Sequence, residues 1–364
     1  MKWCLLTALV CVPAALAQSP APPPAQIPVL TTRTTLVLVP VLVRTKDEAP
    51  VFTLSAKDFA LTDDGIEEKI TVEDDTGSEP LALVVAVETG GAGARQLENF
   101  QNLGLAIETV IGSVPHRVAV VEFDSAPRAV QSFTSDLLAV DETLQGLAPG
   151  DRGAAILDGL RFSVDLLRSQ PAAYRRVILL LSETVDHGSQ TKLDEALRAL
   201  SDSNTAIYSL AFPSAKSAIG HQAAKMWSDP TPGPPGGCMA KDPSATADQN
   251  RFTQAFDCLS LLAPPLRLAK MAGYLATDGL RRNVPESVAQ LTGGEYFSFS
   301  GAHSLERDLL TISHHLPNRY MLSYYPASPH PGFHAIGLRL NGYSGLVVKA
   351  RSGYWVDSEA ETIP

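Results

Sequence analysis

Val84-Val-Ala-Val-Glu88-Thr-Gly-Gly-Ala92 decides the reading of this 364-residue chain. Leu81–Val87 is an apolar run suited to a strand buried on both faces. It ends in a carboxylate, Glu88, and then turns through small residues. Open α/β sheets take their ligands at such places, outside the carboxyl ends of the strands. Downstream the chain alternates strand and helix, the pattern of a parallel sheet covered by helices. Leu97–Ile111 has helical periodicity, with Phe100, Leu103, Ile107 and Ile111 on one face. Arg117–Phe123 reads as a strand and Ala129–Phe133 as its hairpin neighbour, followed by helices over Leu137–Leu147 and Ala155–Leu167. Val177–Leu181 is a second fully apolar strand, Leu193–Leu200 an amphipathic helix and Ala206–Phe212 a further strand. After a break the alternation resumes with Val284–Leu291, a Gly293-Gly294 stop, a strand over Glu295–Phe299 and a helix over Leu305–Leu316.

Both flanks have β chemistry. Thr31–Val43 is β-branched, and Phe52–Val72 reads as paired strands around an Asp64-Gly65 turn, together a β-rich segment over 29–78. Tyr320–Tyr325, Ala335–Leu340 and Leu346–Ala350 give a C-terminal β segment over 318–357. The expected class is α/β: a Rossmann-like, doubly wound, mostly parallel sheet with helices on both faces, flanked by β segments with the composition of a small β unit. Residues 213–281 interrupt this plan. Pro230-Thr-Pro-Gly-Pro-Pro-Gly-Gly237 cannot form helix or strand interior, because its prolines lack amide donors.

The first residues predict export. Lys2 precedes an apolar stretch, Trp3–Leu16, and Ala15-Leu16-Ala17 is a small-x-small cleavage site before Gln18. The predicted signal peptide is therefore 1–17, and a Pro/Ala-rich linker, 18–28, follows it. The mature chain is expected to be periplasmic, secreted or held at the cell surface, with no membrane span once the signal is removed. A net charge of −10 without a basic run excludes nucleic acid as a partner class. Two cysteines remain after cleavage, Cys238 and Cys258. In an exported chain they suggest one disulfide, worth about 3 kcal/mol on a chain-entropy basis.

Catalytic constellations are poorly supported. Asp186-His187-Gly188-Ser189 holds triad residue types, but contiguous placement carries no triad geometry. His330 and His334 sit four apart, yet Pro329 and Pro331 deny them the helix that a zinc-binding pair uses, so they read as loop histidines. His314 and His315 are helix neighbours and point in different directions. The late aromatic residues, Tyr296 to Trp355, read as strand core.

The Val84–Ala92 segment resembles the first motif of von Willebrand factor type A (VWA) domains, in which the strand ends in Asp-x-Ser-x-Ser and binds a divalent cation at a metal-ion-dependent adhesion site. On that resemblance Glu88, Gly90 and Ala92 stand at ligand positions. The second loop, where the family supplies a threonine hydroxyl, is matched by Gly153-Ala154-Ala155, with Ala154 at that position. The third, where the family's strand ends in Asp-Gly, is matched by Leu180-Leu181-Ser182-Glu183-Thr184, with Glu183 in place of the aspartate. Mg²⁺ demands near-octahedral oxygen geometry, the longer glutamates displace their oxygens outward, and the hydroxyls have become Gly or Ala. A degenerate site and no cofactor are the expectation. Any Mg²⁺ or Ca²⁺ would rest on Glu88, Thr89 and Glu183.

The likeness continues in Leu36-Val-Leu-Val-Pro-Val41, Leu54-Ser-Ala-Lys-Asp-Phe59 with Asp63-Asp64-Gly65, Leu291-Thr-Gly-Gly-Glu-Tyr-Phe297, Arg319-Tyr-Met-Leu-Ser-Tyr324 and Val348-Lys-Ala-Arg-Ser-Gly-Tyr354. Their order is similar to that of the VWFA-related family of the Acidobacteria type, with residues 79–317 as the VWA-like domain. The resemblance implies a non-enzymatic interaction or adhesion module for a protein or cell-surface partner, independent of metal here. Two alternatives stand beside it: metal-dependent adhesion through an atypical Glu88/Glu183 site, and an enzyme or enzyme accessory with its site in 213–281.

Overall fold

The computed structural model describes residues 36–74, 79–100, 102–213, 283–343 and 345–356. The predicted signal peptide with its Ala17/Gln18 cleavage site, the 18–28 linker, nearly all of the 213–281 insertion and both Cys238 and Cys258 lie outside the described residues. Four strands open the described chain: β1 (Val37–Arg44), β2 (Phe59–Asp63), β3 (Ile66–Glu67) and β4 (Thr71–Asp74). The next elements are β5 (Leu81–Glu88), α1 (Leu103–Ile111), β6 (His116–Phe123), β7 (Pro127–Thr134), α2 (Leu137–Gln145) and α3 (Ile156–Arg168). They continue with β8 (Arg175–Ser182), α4 (Leu193–Asp202), β9 (Ala206–Ala211), α5 (Val284–Thr292), β10 (Glu295–Ser298) and α6 (Ala302–His315). Four strands close it: β11 (Tyr320–Tyr324), β12 (Gly332–Leu340), β13 (Val347–Ala350) and β14 (Gly353–Val356).

Six strands form the central sheet in the order β10-β9-β8-β5-β6-β7. All neighbours are parallel except the β6–β7 hairpin. Every residue of β5 is buried, and its alternation divides the core. Leu83, Val85 and Val87 pack under α1, α2 and α6 through Leu103, Ile107, Val140, Leu144, Leu305 and Leu309. Ala82, Val84 and Ala86 face α3 and α4 through Leu160, Val164, Ala196 and Leu200, with Val288 of α5 in the same cluster. The sheet is therefore doubly wound with helices on both faces, as the strand–helix alternation predicts. One expected helix is interrupted. Residues 97–100 wind as a 3₁₀ turn and the α-helix begins at Leu103, although Phe100, Leu103, Ile107 and Ile111 are all buried as their spacing requires.

Strands from the two ends of the chain interleave in two further four-stranded antiparallel sheets, β13-β1-β11-β4 and β14-β12-β2-β3. Val39 lies opposite Leu322, and Leu61 opposite Leu338. Val39, Val41, Leu61, Leu322, Tyr324 and Ile336 share one buried cluster. The β2–β3 hairpin closes through Asp64-Gly65, with Asp63 opposite Ile66 and φ of +49° and +84° at the two turn residues. That left-handed pair matches strand twist and favours Asp-Gly. Among the described residues no helix is long and apolar enough to cross a membrane.

Candidate functional site at the sheet top

The chain leaves β5 toward β6 and leaves β8 toward β9, so the adjacent ends of β5 and β8 flank the crevice of a doubly wound sheet. Glu88 and Glu183 meet there, both buried. The Glu88 carboxyl is engaged at both oxygens: Oε1 accepts the Gly93 amide at 3.0 Å and Oε2 accepts the Glu183 amide at 2.7 Å. Glu183 thus meets Glu88 through its backbone. Its own Oε1 lies 3.5 Å from His187 Nε2. Burial, foremost, pushes the Glu88 carboxyl up to about 8, with the negative charge of Glu183 adding to it while the two amides pull the other way. Near neutral pH the group is mainly the uncharged acid.

The other matched positions converge on the same place. Thr89 is fully buried, and its hydroxyl donates to the Phe123 carbonyl at 3.4 Å. Gly90 faces Gly153: a Cβ at Gly90 would lie 2.1 Å from the Gly153 carbonyl oxygen. A serine at that position would have to displace the loop. Ala92 is buried, and Ala154 is fully buried and paired with His187 by two backbone hydrogen bonds, of 3.1 and 2.8 Å. The structure therefore gathers Glu88, Thr89, Gly90, Ala92, Ala154 and Glu183 at one end of the sheet, and the Gly153 carbonyl takes the place a side chain at Gly90 would need.

Carboxylates that sequence reasoning did not single out bind these loops together. Asp124, after β6, accepts from the amides of Ala126 and Asp151. Asp151 accepts from Ser125 and Gly153. Asp158 reaches across to the amides of Gln190 and Thr191. Helix α3 has Ala155 at its N-cap and hence no cap of its own. Ser189 Oγ accepts the Leu157 and Asp158 amides instead, at 3.1 and 3.2 Å, and donates to Asp186, which also accepts from Leu157. The Asp186–Ser189 segment is thus a cap supplied in trans. In the sequence Asp186 and Ser189 stand out only as triad residue types without triad geometry, and the apolar N-cap of α3 is the hint that its amides need an outside partner.

His330 and His334 are not both loop residues: His334 lies in β12 and is buried, and the two rings stack at 4.1 Å. The strand, rather than a helix, brings them together. At the opposite, amino-terminal edge of the central sheet, Glu295 is buried against His315 (2.9 Å), Arg319 (3.5 Å) and Lys349 of β13 (3.1 Å). His315 Nε2 also lies 3.3 Å from the Glu48 carbonyl, so this cluster ties the central sheet to the β sandwich. Phe299, Tyr320, Tyr324 and Tyr354 are core residues, whereas Tyr325 is exposed.

No protein-family model matches the chain, and no curated protein matches it in sequence. Among solved structures it is similar to the conserved hypothetical protein BatB from Bacteroides thetaiotaomicron, at 12% identity and a TM-score of 0.38 over 64% of this chain and 96% of that one. An aerotolerance-related membrane protein from Bacteroides fragilis is similar at 13% identity and a TM-score of 0.38, over 64% and 98%. The VWA domain of SpRpn10 is similar at 12% identity and a TM-score of 0.31, over 39% and 79%. Likenesses this distant assign no activity or partner. The doubly wound α/β fold rests on the strand order and the two helical layers described above.

Proposed function

We propose that this chain is an exported, non-enzymatic interaction module whose doubly wound domain engages a protein or cell-surface partner without a cation. The observation that carries the reading is Glu88. The carboxyl standing where a VWA domain offers a ligand is turned inward, with both oxygens on backbone amides and its proton retained near neutral pH. The donor set does not fit Mg²⁺, which needs octahedral oxygens at about 2.0–2.1 Å. Gly90, Ala92 and Ala154 supply no side-chain oxygen, and Gly90 has no room for one. The carboxylate–amide bonds of Asp124, Asp151, Asp158 and Asp186 hold the loops that a cation would otherwise organise. Thr89 and Ser182 beside the crevice donate to main-chain carbonyls, and Ser189, which donates to Asp186, at the same time accepts two α3 amides, which supports a non-catalytic reading. Export rests on the Lys2–Ala17 pattern. Binding is assigned to the exposed parts of the top loops, including Ser125, Asp151 and Arg152.

Calorimetric titration of Mg²⁺, Mn²⁺ and Ca²⁺ into the full chain tests this, with a Glu88→Ala/Glu183→Ala variant as control. The expected result is no saturable binding that depends on Glu88 and Glu183 up to millimolar cation. Micromolar binding that disappears in the double variant would overturn the reading and establish metal-dependent adhesion.

A further inference from the structure

A second cluster lies on the β sandwich, where the β2–β3 turn meets the start of β12. Asp64 Oδ2 is 3.0 Å from His330 Nε2 and 3.0 Å from His334 Nδ1. Asp64 Oδ2 and His330 Nε2 are the atoms left over after their residues have satisfied another contact, while His334 Nδ1 faces two carboxylates. Asp64 Oδ1 accepts the Ala335 amide at 2.8 Å. His334 Nε2 faces the His330 carbonyl at 2.7 Å, and His330 Nδ1 faces the Pro331 carbonyl at 3.1 Å. A ring nitrogen against a carbonyl oxygen carries the proton, so the other nitrogen of each neutral imidazole presents a lone pair. Both lone pairs are aimed at the same carboxylate oxygen, itself an acceptor. His334 Nδ1 has a further acceptor, Asp63 Oδ1, at 3.2 Å, and Asp63 is held in place by the hydroxyls of Tyr324 and Tyr354 at 3.1 and 2.7 Å. So much converging electron density needs a positive centre among the donors.

We propose that Asp64, His330 and His334 bind one zinc-class divalent cation through Oδ2, Nε2 and Nδ1. The three atoms lie within 4.8 Å of one another. Tetrahedral bonds of about 2.0–2.1 Å place ligand atoms roughly 3.3 Å apart, so small side-chain movements admit the ion. Two imidazoles and a carboxylate suit zinc, whereas Mg²⁺ and Ca²⁺ take all-oxygen sets. The carbonyls behind both rings and the amide behind the carboxylate are the outer partners that fix metal-binding groups in orientation. His330 is half exposed, which opens the remaining coordination position to water. The ion joins the β2–β3 turn to a strand from the other end of the chain. The competing arrangement adds a proton to His334 instead, giving an imidazolium beside Asp63 and Asp64.

The test is titration of Zn²⁺ into the full chain, with Co²⁺ as a spectroscopic substitute, in the unaltered protein and in His330→Ala and Asp64→Asn. His330 is an exposed ring, and asparagine keeps an oxygen for the Ala335 amide while tolerating the left-handed backbone at position 64, so both variants fold. The expected result is one Zn²⁺ per chain, intense visible cobalt bands of a tetrahedral site, and affinity at least about tenfold weaker in each variant. Absence of saturable binding overturns the proposal. So does binding of equal strength in both variants, which would place the ion elsewhere, as does an octahedral cobalt spectrum. Loss of stability as His334 gives up its proton, with no effect of Zn²⁺, would establish that imidazolium instead and also overturn the proposal.

Discussion

Glu88 and Glu295 are both buried carboxyls at the ends of one parallel sheet, and their surroundings drive them in opposite directions. Burial raises the pKa of each. At the amino-terminal edge that effect is outweighed by the His315 hydrogen bond and the charges of Arg319 and Lys349, and Glu295 is held at about 2. At the carboxyl-terminal edge no cation answers among the described residues. Glu88 has two amides and the like charge of Glu183, and it rises to about 8. The countercharge, not depth, decides which buried carboxyl stays ionised. The two edges consequently differ in purpose. The Glu295 edge is an ionic junction between the central sheet and the sandwich, while the Glu88 edge is an amide-tied crevice with loops above it.

The largest effect is expected at the junction. Glu295→Ala leaves Arg319 and His315 buried without their anion and is expected to cost about 3–5 kcal/mol in denaturant unfolding. Glu88→Ala, measured near pH 6, is expected to cost less, roughly 2–4 kcal/mol. It removes no countercharge but leaves the Gly93 and Glu183 amides without an acceptor. Equal costs at the two sites would erase the distinction.

The same pair sets the pH profile. The folded chain holds the Glu88 proton up to about pH 8, whereas the unfolded chain releases it near the ordinary value of 4.5. This group's contribution therefore falls as pH rises from 4.5 to 8, at a limiting slope of about 1.4 kcal/mol per pH unit. Glu295 has the opposite sign: its contribution is full above 4.5 and is lost as pH falls toward 2. Melting curves across pH should flatten only the upper limb in Glu88→Gln and only the lower limb in Glu295→Gln. The smallest effect belongs to the cap supplied in trans. Ser189→Ala is expected to lose about 1 kcal/mol, measured by urea unfolding, by freeing the α3 amides.

What was legible in the sequence follows from what local patterns report. Leu81–Val87 and Val177–Leu181 announce strands buried on both faces, because only apolar residues tolerate helices on either side. Asp64-Gly65 announces its hairpin, since few other pairs accept two left-handed residues. Face burial says nothing about partners, however. β1 pairs with β11 almost the whole described chain away, and the interleaving of the sandwich has no local signature. The site was legible as a set of positions and illegible as chemistry. Glu88 could be placed opposite Glu183 by resemblance, but its bond to the Glu183 backbone amide depends on how the third loop turns. The prolines around His330 correctly excluded a helix. They did not exclude the strand that sets His334 beside Asp64.

The most direct test of the central claim is a carbon-detected NMR titration of the Glu88 side-chain carboxyl, with and without millimolar Mg²⁺. An amide-tied, metal-free crevice predicts a midpoint near 8, unmoved by the cation. A midpoint in the ordinary carboxylate range, or one that Mg²⁺ drives downward, would mean that the carboxylate is available as a ligand and would contradict the account.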